Sequence, residues 1–370
     1  MADVRVQVSV SSNGVVQAER WDTRGRSPST AVGLAGLDAE LVHLFMDWLA
    51  LRERFWRERE ITAFGSLLFR CLFPDRGVWD WVQSIIDQTE GTVRVELVFP
   101  AEGPFAALAA IPWEYLYRPE RPGRRGAYLA AEKGLILSRY IPTEEGQRPF
   151  PALDHLNVLV VISIPADPRL GPVDYEDVLA EITRTSERLG FTQTVLRQPT
   201  ISSLNEAMNV AGQPQHLVHF MGHGRFDVGS SEAAVALTDP DGGPKWVDDR
   251  TFAELLTRNG VAPRAVVLHS CEGGVADYSA SFAGLAPQLV RNGAQSVIAM
   301  QYPVTNETAI LFSTCLYDQL AGTADLDTAA QEARWKILRF SDPADPRLVG
   351  VPVVYLQNEH ALLGDVARAR

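Results

Sequence analysis

Residues 216–226 read HLVHFMGHGRF, and residues 264–274 read RAVVLHSCEGG. Each begins with a short apolar run and ends in a glycine-containing turn. That is the form of a strand buried on both faces that runs out into a loop at its carboxyl end. The form recurs around them. Residues 156–164 (LNVLVVISI) are a further buried strand, and strands are also expected at 192–197, 233–238, 295–300 (QSVIAM) and 351–356. Between them lie helical stretches at 174–189, 202–211, 249–259, 281–292, 305–321 and 327–339. The second of these opens on Ser202 or Ser203, with Glu206 in position for a capping box. Strands alternating with helices of these lengths predict an α/β fold whose mainly parallel sheet is covered on both faces. Sites in such sheets lie beyond the carboxyl ends of the strands.

Outward from this block, residues 142–153 (PTEEGQRPFPAL) are polar and rich in Pro and Gly, a linker or long loop. The expected domains are therefore 1–150 and 151–370. In the first, residues 4–20 alternate apolar and polar around Ser12-Asn13-Gly14, a hairpin signal. Helices are expected at 37–59, 62–72 and 78–88, a strand at 92–99, and a strand pair near 127–140. Residues 111–117 (IPWEYLY) are aromatic and apolar.

Composition narrows the functional classes. Among 370 residues, 46% are hydrophobic and 22% charged, as in a soluble globular protein. The net charge of −12 repels a polyanion, so nucleic acid is not an expected partner. The three cysteines, Cys71, Cys271 and Cys315, form neither a disulfide framework nor a CxxC zinc pair. No apolar run reaches the ~20 residues of a membrane span, and the start MADVRVQVSV has no signal-peptide form. A reducing cytoplasm is the expected location, where a thiol stays reduced. No GxxxxGK[ST] loop occurs, and neither cofactor nor metal is expected. Cys71 and Cys315 sit among apolar neighbours in helical stretches and read as core.

The chemistry is concentrated at two strand ends. The strand at 216–221 runs into Gly222-His223-Gly224, and the strand at 264–269 runs into Ser270-Cys271-Glu272-Gly273-Gly274. A thiol becomes a nucleophile when an imidazole takes its proton, and the amides of Cys271 and Gly224 could then donate to a developing oxyanion. From the residues alone, a second reading stands beside this one: Cys271 as a small buried side chain and His223 as a hydrogen-bonded loop histidine. Asp227 offers an orienting carboxylate for His223, or a solvated loop charge. His216, His219 and His223 invite a metal reading, but alternation along a strand turns His216 away from His219. HSCEGG is not a GxSxG elbow, so Ser270 is not a serine nucleophile.

Taken together, HLVHFMGHGRF and VVLHSCEGG resemble the His and Cys motifs of CHAT-domain caspase-like cysteine peptidases. GLAPQLVRNGAQSVIAMQYPVTNETA (284–309) is similar to the family's next block. In the first half, IPWEYLY and LILSRY (135–140) resemble its Pro-Trp-Glu-Leu-Leu-Tyr block and following strand. The resemblance spans about residues 60–357. It implies a caspase-like sheet flanked by helices, preceded by a degenerate, non-catalytic α/β half. It also implies Cys271 as nucleophile, His223 as acid/base and Gly224 as an oxyanion-hole amide, with no third catalytic side chain required. Several relatives with Arg or Lys specificity carry an Asp two residues before the nucleophile, at the floor of the S1 pocket. His269 stands there in this chain. Gln301 and Tyr302 are expected near substrate, Tyr302 where the family often has Trp. The implied function is an endopeptidase that cuts one or a few protein substrates, a regulated processor in a bacterial defence or signalling system with a separate activator protein. The alternative is a non-catalytic CHAT scaffold that binds a partner through the same groove.

Overall fold

The computed structural model describes residues 4–22, 25–26, 30–33, 57–74, 76–103, 105–143, 155–173, 175–210, 213–227, 232–257, 262–269, 281–302, 306–323, 325–340 and 346–357. The chain forms two compact units. One comprises Met1–Tyr140 with Leu338–Gly350, the other Ile141–Ile337 with Val351–Arg370.

In the first unit, β1 (Val4–Val10) and β2 (Val15–Asp22) form the antiparallel hairpin expected around Ser12-Asn13-Gly14. Gly14 closes its turn at φ 81°, a left-handed conformation that glycine adopts without a Cβ penalty. The short strands β3 (Gly25–Arg26) and β4 (Thr30–Gly33) both pair with β2. Helices α1 (Glu58–Leu72) and α2 (Arg76–Gln88) precede β5 (Val93–Val98), which lies parallel to β1. The helix expected at 37–59 falls almost wholly outside the described residues.

The strand pair expected near 127–140 is not a pair. β6 (Tyr117–Arg118) takes β7 (Ala127–Tyr128) as its partner, whereas β8 (Leu135–Tyr140) lies parallel to β5. The reason is the 3-10 turn at Leu129–Ala131, which separates β7 from β8. Glu114, in IPWEYLY, and Arg139, in LILSRY, are both buried and form a two-pronged ion pair. Arg139 Nε donates to Oε1 at 2.9 Å and Nη2 to Oε2 at 2.5 Å. These two blocks of the first half are thus joined by a buried charge pair, whose guanidinium also donates to the carbonyls of Ala109 and Ile111.

The second unit has the expected α/β form. Its strands are β9 (Asn157–Ser163), β10 (Thr192–Arg197), β11 (Leu217–Gly222), β15 (Ala265–His269), β16 (Ser296–Met300) and β17 (Pro352–Leu356). Their order is β10-β9-β11-β15-β16-β17, all parallel but for the antiparallel β17. Four helices connect or follow these strands: α3 (Glu176–Leu189), α4 (Ile201–Met208), α5 (Asp249–Leu256) and α6 (Ser281–Arg291). Helices α7 (Asn306–Thr323) and α8 (Leu326–Phe340) come after β16. On one sheet face Leu159, Val161, Val218, Phe220, Val266 and Leu268 pack with Phe252 of α5 and Leu289 of α6 into one core. On the other, His219 meets Tyr317 of α7.

Two expectations needed correction here. Residues 233–238 belong to β13 (Glu232–Thr238), which is the centre of a separate antiparallel sheet with β12 (Gly224–Asp227) and β14 (Pro244–Asp248), not a strand of the main sheet. Helix α4 is capped by Thr200, whose hydroxyl accepts from the Ser203 N–H. Ser202 instead donates to Glu206 one turn along, at 3.0 Å. Thr200 precedes the helix in extended conformation, as an N-cap must, while Ser202 and Ser203 already lie inside it.

Candidate active site

Strands β9, β11 and β15 are parallel neighbours, so their carboxyl ends lie side by side. Gly222 of β11 pairs in register with Ser163 of β9, and Met221 with His269 of β15. His223 is the next residue after β11. Its side chain is buried, 6% exposed.

The His223 ring is hydrogen-bonded to the Gly171 backbone, in the loop between β9 and α3. Nε2 is buried and has no hydrogen-bond partner among the described residues, so the bond to Gly171 is made by Nδ1. A carbonyl can only accept, so Nδ1 carries the proton and Nε2 keeps its lone pair. Burial pushes the pKa of His223 below its usual value, while the Gly171 bond pulls it back up. Near neutral pH the ring is therefore a neutral base with its free nitrogen fixed in direction.

The backbone here is equally constrained. The His223 carbonyl accepts from the Ala236 N–H at 2.9 Å. A Cβ on Gly222 would lie 2.8 Å from the Ser163 carbonyl oxygen and 3.0 Å from the Phe220 ring, so glycine permits the approach of β9. Gly224 stands opposite Val235 in the β12–β13 ladder. The bond from Ala236 to His223 makes Gly224–Val235 a non-hydrogen-bonded pair, and the Gly224 N–H is directed away from β13.

Cys271 and its neighbours at 270–280 lie outside the described residues. His269, two positions earlier, is wholly buried, and its ring centre is 5.7 Å from that of His219. Neither of its nitrogens has a partner among the described residues, and burial lowers its pKa to about 4. His219 shares a hydrogen bond of 2.9 Å with the Tyr317 hydroxyl and stacks on that ring. Burial holds His219 well below the usual histidine range and raises the Tyr317 phenol.

Gln301 is buried just past β16, where its N–H donates to the Val351 carbonyl, and Tyr302 is half-buried beside it. His216 Nδ1 accepts from the Asn157 N–H at 3.0 Å. The three histidines of the first motif thus take three separate partners. Among the described residues no three His, Cys, Asp or Glu side chains converge on a metal position. Cys71 and Cys315 are both buried, as read from their apolar neighbours, and burial raises the Cys315 thiol.

With this geometry in view, comparison with known proteins decides the family. Residues 64–351 match the family model of the CHAT domain. The chain belongs to the CHAT domain family. No curated protein matches it. Among solved structures, this CHAT chain is similar to the Saccharomyces cerevisiae separase–securin complex, with TM-score 0.53 and 10% identity over 96% of this chain and 30% of that one. A second structure of that complex gives TM-score 0.48 over the same shares. The Arg-specific cysteine proteinase gingipain R gives TM-score 0.45 and 14% identity, over 75% of this chain and 67% of that one. At such identity the first likeness shows a shared fold, and the CHAT chain spans about 30% of the separase chain it matches.

The CHAT match includes His223, Gly224, His269 and Cys271. Sequence reading did not find the Gly171 carbonyl, because a backbone acceptor in a loop leaves no mark in side-chain pattern. No helix among the described residues is long and apolar enough to cross a membrane.

Proposed function

We propose that this CHAT protein is a cysteine endopeptidase in which Cys271 is the nucleophile and His223 the general base. The observation that carries the reading is the state of His223: Nδ1 bonded to Gly171, Nε2 buried and unpartnered among the described residues. A buried acceptor held without a protein partner is costly unless something else uses it. The neighbouring strand supplies a candidate. Met221 and His269 are register partners, and His223 and Cys271 each follow by two residues along the chain.

In the proposed reaction Nε2 takes the Cys271 thiol proton as sulfur attacks the scissile carbonyl. The oxyanion takes hydrogen bonds from the Cys271 and Gly224 amides, the latter being directed away from its own ladder. The imidazolium returns its proton to the leaving amine, releasing one product and leaving a thioester on Cys271. Water, deprotonated by Nε2, then attacks the thioester; the sulfur leaves as a thiolate and takes the proton back. The Gly171 carbonyl stabilises the imidazolium and holds the tautomer.

One or a few protein substrates, a separate activator protein and a role in bacterial defence or signalling belong to the same proposal and rest on the family resemblance. The separase structure sharing this fold is itself a complex with a second protein, securin. The test is labelling by a peptidyl electrophile. Wild type should label at Cys271, whereas Cys271→Ala should not label and His223→Ala should label far more slowly, both with unchanged melting curves. Labelling that persists in Cys271→Ala would refute the mechanism. An inert wild type that still captures a partner protein would favour the scaffold.

A further inference from the structure

The small antiparallel sheet does more than follow His223 in the chain, since β13 is tied to the ends of three strands of the main sheet. At its carboxyl end the Thr238 N–H donates to the Pro199 carbonyl at 2.7 Å, and the Thr238 hydroxyl to Gln198 Oε1 at 3.1 Å. Gln198 holds φ 49°, the one non-glycine residue with positive φ among the described residues, so this junction beyond β10 is a constrained one.

The second tie is at Ala236. In a strand the N–H and C=O of one residue point to the same side, and Ala236 presents both to the main sheet. Its N–H donates to the His223 carbonyl at 2.9 Å, and its carbonyl accepts from Ser163 Oγ at 2.6 Å. Ser163 is the last residue of β9, is fully buried, and stands in register with Gly222. Its carbonyl is also the atom nearest a Cβ built on Gly222. Ser163 therefore acts on the His223 turn twice, through the packed Gly222 backbone and through a hydroxyl that holds Ala236.

We infer that Ser163 is a positioning residue for His223, its hydroxyl fixing Ala236 and Ala236 fixing the His223 backbone from which the ring reaches Gly171. The inference deepens the peptidase reading and rests on it for its catalytic consequence. Without the hydroxyl the buried Ala236 carbonyl loses its donor and turns toward another, and the bond to His223 is drawn with it. The ring then leaves its enclosed place.

The test compares wild type, Ser163→Ala and Ser163→Thr, the last keeping a hydroxyl. The side-chain NMR titration of His223 is assigned among the seven histidines with His223→Gln. Wild type should titrate below the usual value of about 6.5, Ser163→Ala should shift upward toward it, and Ser163→Thr should stay with wild type. The rate of Cys271 alkylation by iodoacetamide should fall about tenfold in Ser163→Ala, with an altered pH profile, and recover in Ser163→Thr. Where Ser163→Ala does not fold, Ser163→Cys, nearly equal in size and a weak donor, should show the same NMR shift. An unshifted His223 titration in the folded variant, with only a lower melting temperature, would overturn the inference. A wild type whose Cys271 reacts no faster than an ordinary thiol would instead sink the peptidase reading, and the NMR arm would still decide Ser163.

Discussion

Two single residues near the site carry opposite lessons. Gly222 is where the backbone of β9 comes closest to the turn that carries His223. An added methyl presses on both the Ser163 backbone and the Phe220 ring, and the first is not a flexible side-chain end. Gly222→Ala should cost about 1–3 kcal/mol of stability as an overpacked site, and should lower kcat/KM by at least about tenfold because the next residue is His223. Thermal melts and peptide cleavage measured side by side check this, and wild-type kcat/KM would show that the turn tolerates the shift. Under the peptidase proposal, His269 bears on specificity. By the family resemblance it stands where several relatives with Arg or Lys specificity carry an Asp, yet it is wholly buried beside His219 and held neutral, with a pKa lowered to about 4. If the proposed S1 pocket has His269 at its floor, a desolvated guanidinium or ammonium would find no counter-charge in that side chain. A P1-varied peptide library should therefore show no strong selection for Arg or Lys. Strong selection would mean that another carboxylate reaches the pocket, and unchanged selectivity in His269→Ala would assign that side chain to packing alone.

At the scale of elements, legibility followed hydrophobic contrast. β9, β11, β15 and β16 are continuous apolar runs bounded by turn residues, and each was found within one or two residues of its place. β12 (GRFD) and β14 (PKWVD) are short, polar at their ends and one-sided, so nothing in their sequences separates them from loop. Yet β12 opens on Gly224, and its partner β13 holds His223. The part of the site that escaped sequence reading is made of backbone: the Gly171 carbonyl, the Ala236 N–H and the direction of the Gly224 amide. The α4 cap was misplaced for a related reason, because Thr200, Ser202 and Ser203 all have capping chemistry and only φ and ψ choose among them. Thr200 is the residue in extended conformation, and its hydroxyl takes the Ser203 N–H at 3.1 Å. Thr200→Ala should therefore cost about 0.5–2 kcal/mol in urea unfolding, and Ser202→Ala less than 0.5 on the same scale. The reverse ranking would return the cap to Ser202. The Glu114–Arg139 pair is the element-level tie of the first unit. Removing Glu114 takes this counter-charge from the buried Arg139 guanidinium, so Glu114→Ala should destabilise by about 3–5 kcal/mol in urea unfolding.

For the whole molecule, the histidines set a limit on pH. Four of the seven lie in or beside β11 and β15, and all four have pKa values lowered chiefly by burial. His216 and His269 fall to about 4, and His219 lies well below its ordinary value of 6.5. These groups are neutral in the fold and take up protons more readily once it opens. The unfolded chain binds more protons between pH 6.5 and about 4, so stability is fully present above 6.5 and is lost as pH falls through that window. His269 alone, wholly enclosed and shifted from 6.5 to about 4, contributes on the order of 3 kcal/mol to the loss. Paired carboxylates add their own loss at lower pH: Asp167, bonded to Arg169, is held at about 2. The expected result is a urea midpoint flat from about pH 8 to 6.5 and falling steeply by pH 4.5. In His269→Leu the buried imidazole is replaced by an apolar side chain with no proton to take up. Its midpoint at pH 7 should stay near or above that of wild type, and the acid fall should be shallower. An equally steep fall in His269→Leu would move the acid sensitivity to another of the buried histidines, and a matching His219→Leu variant would test the neighbouring one.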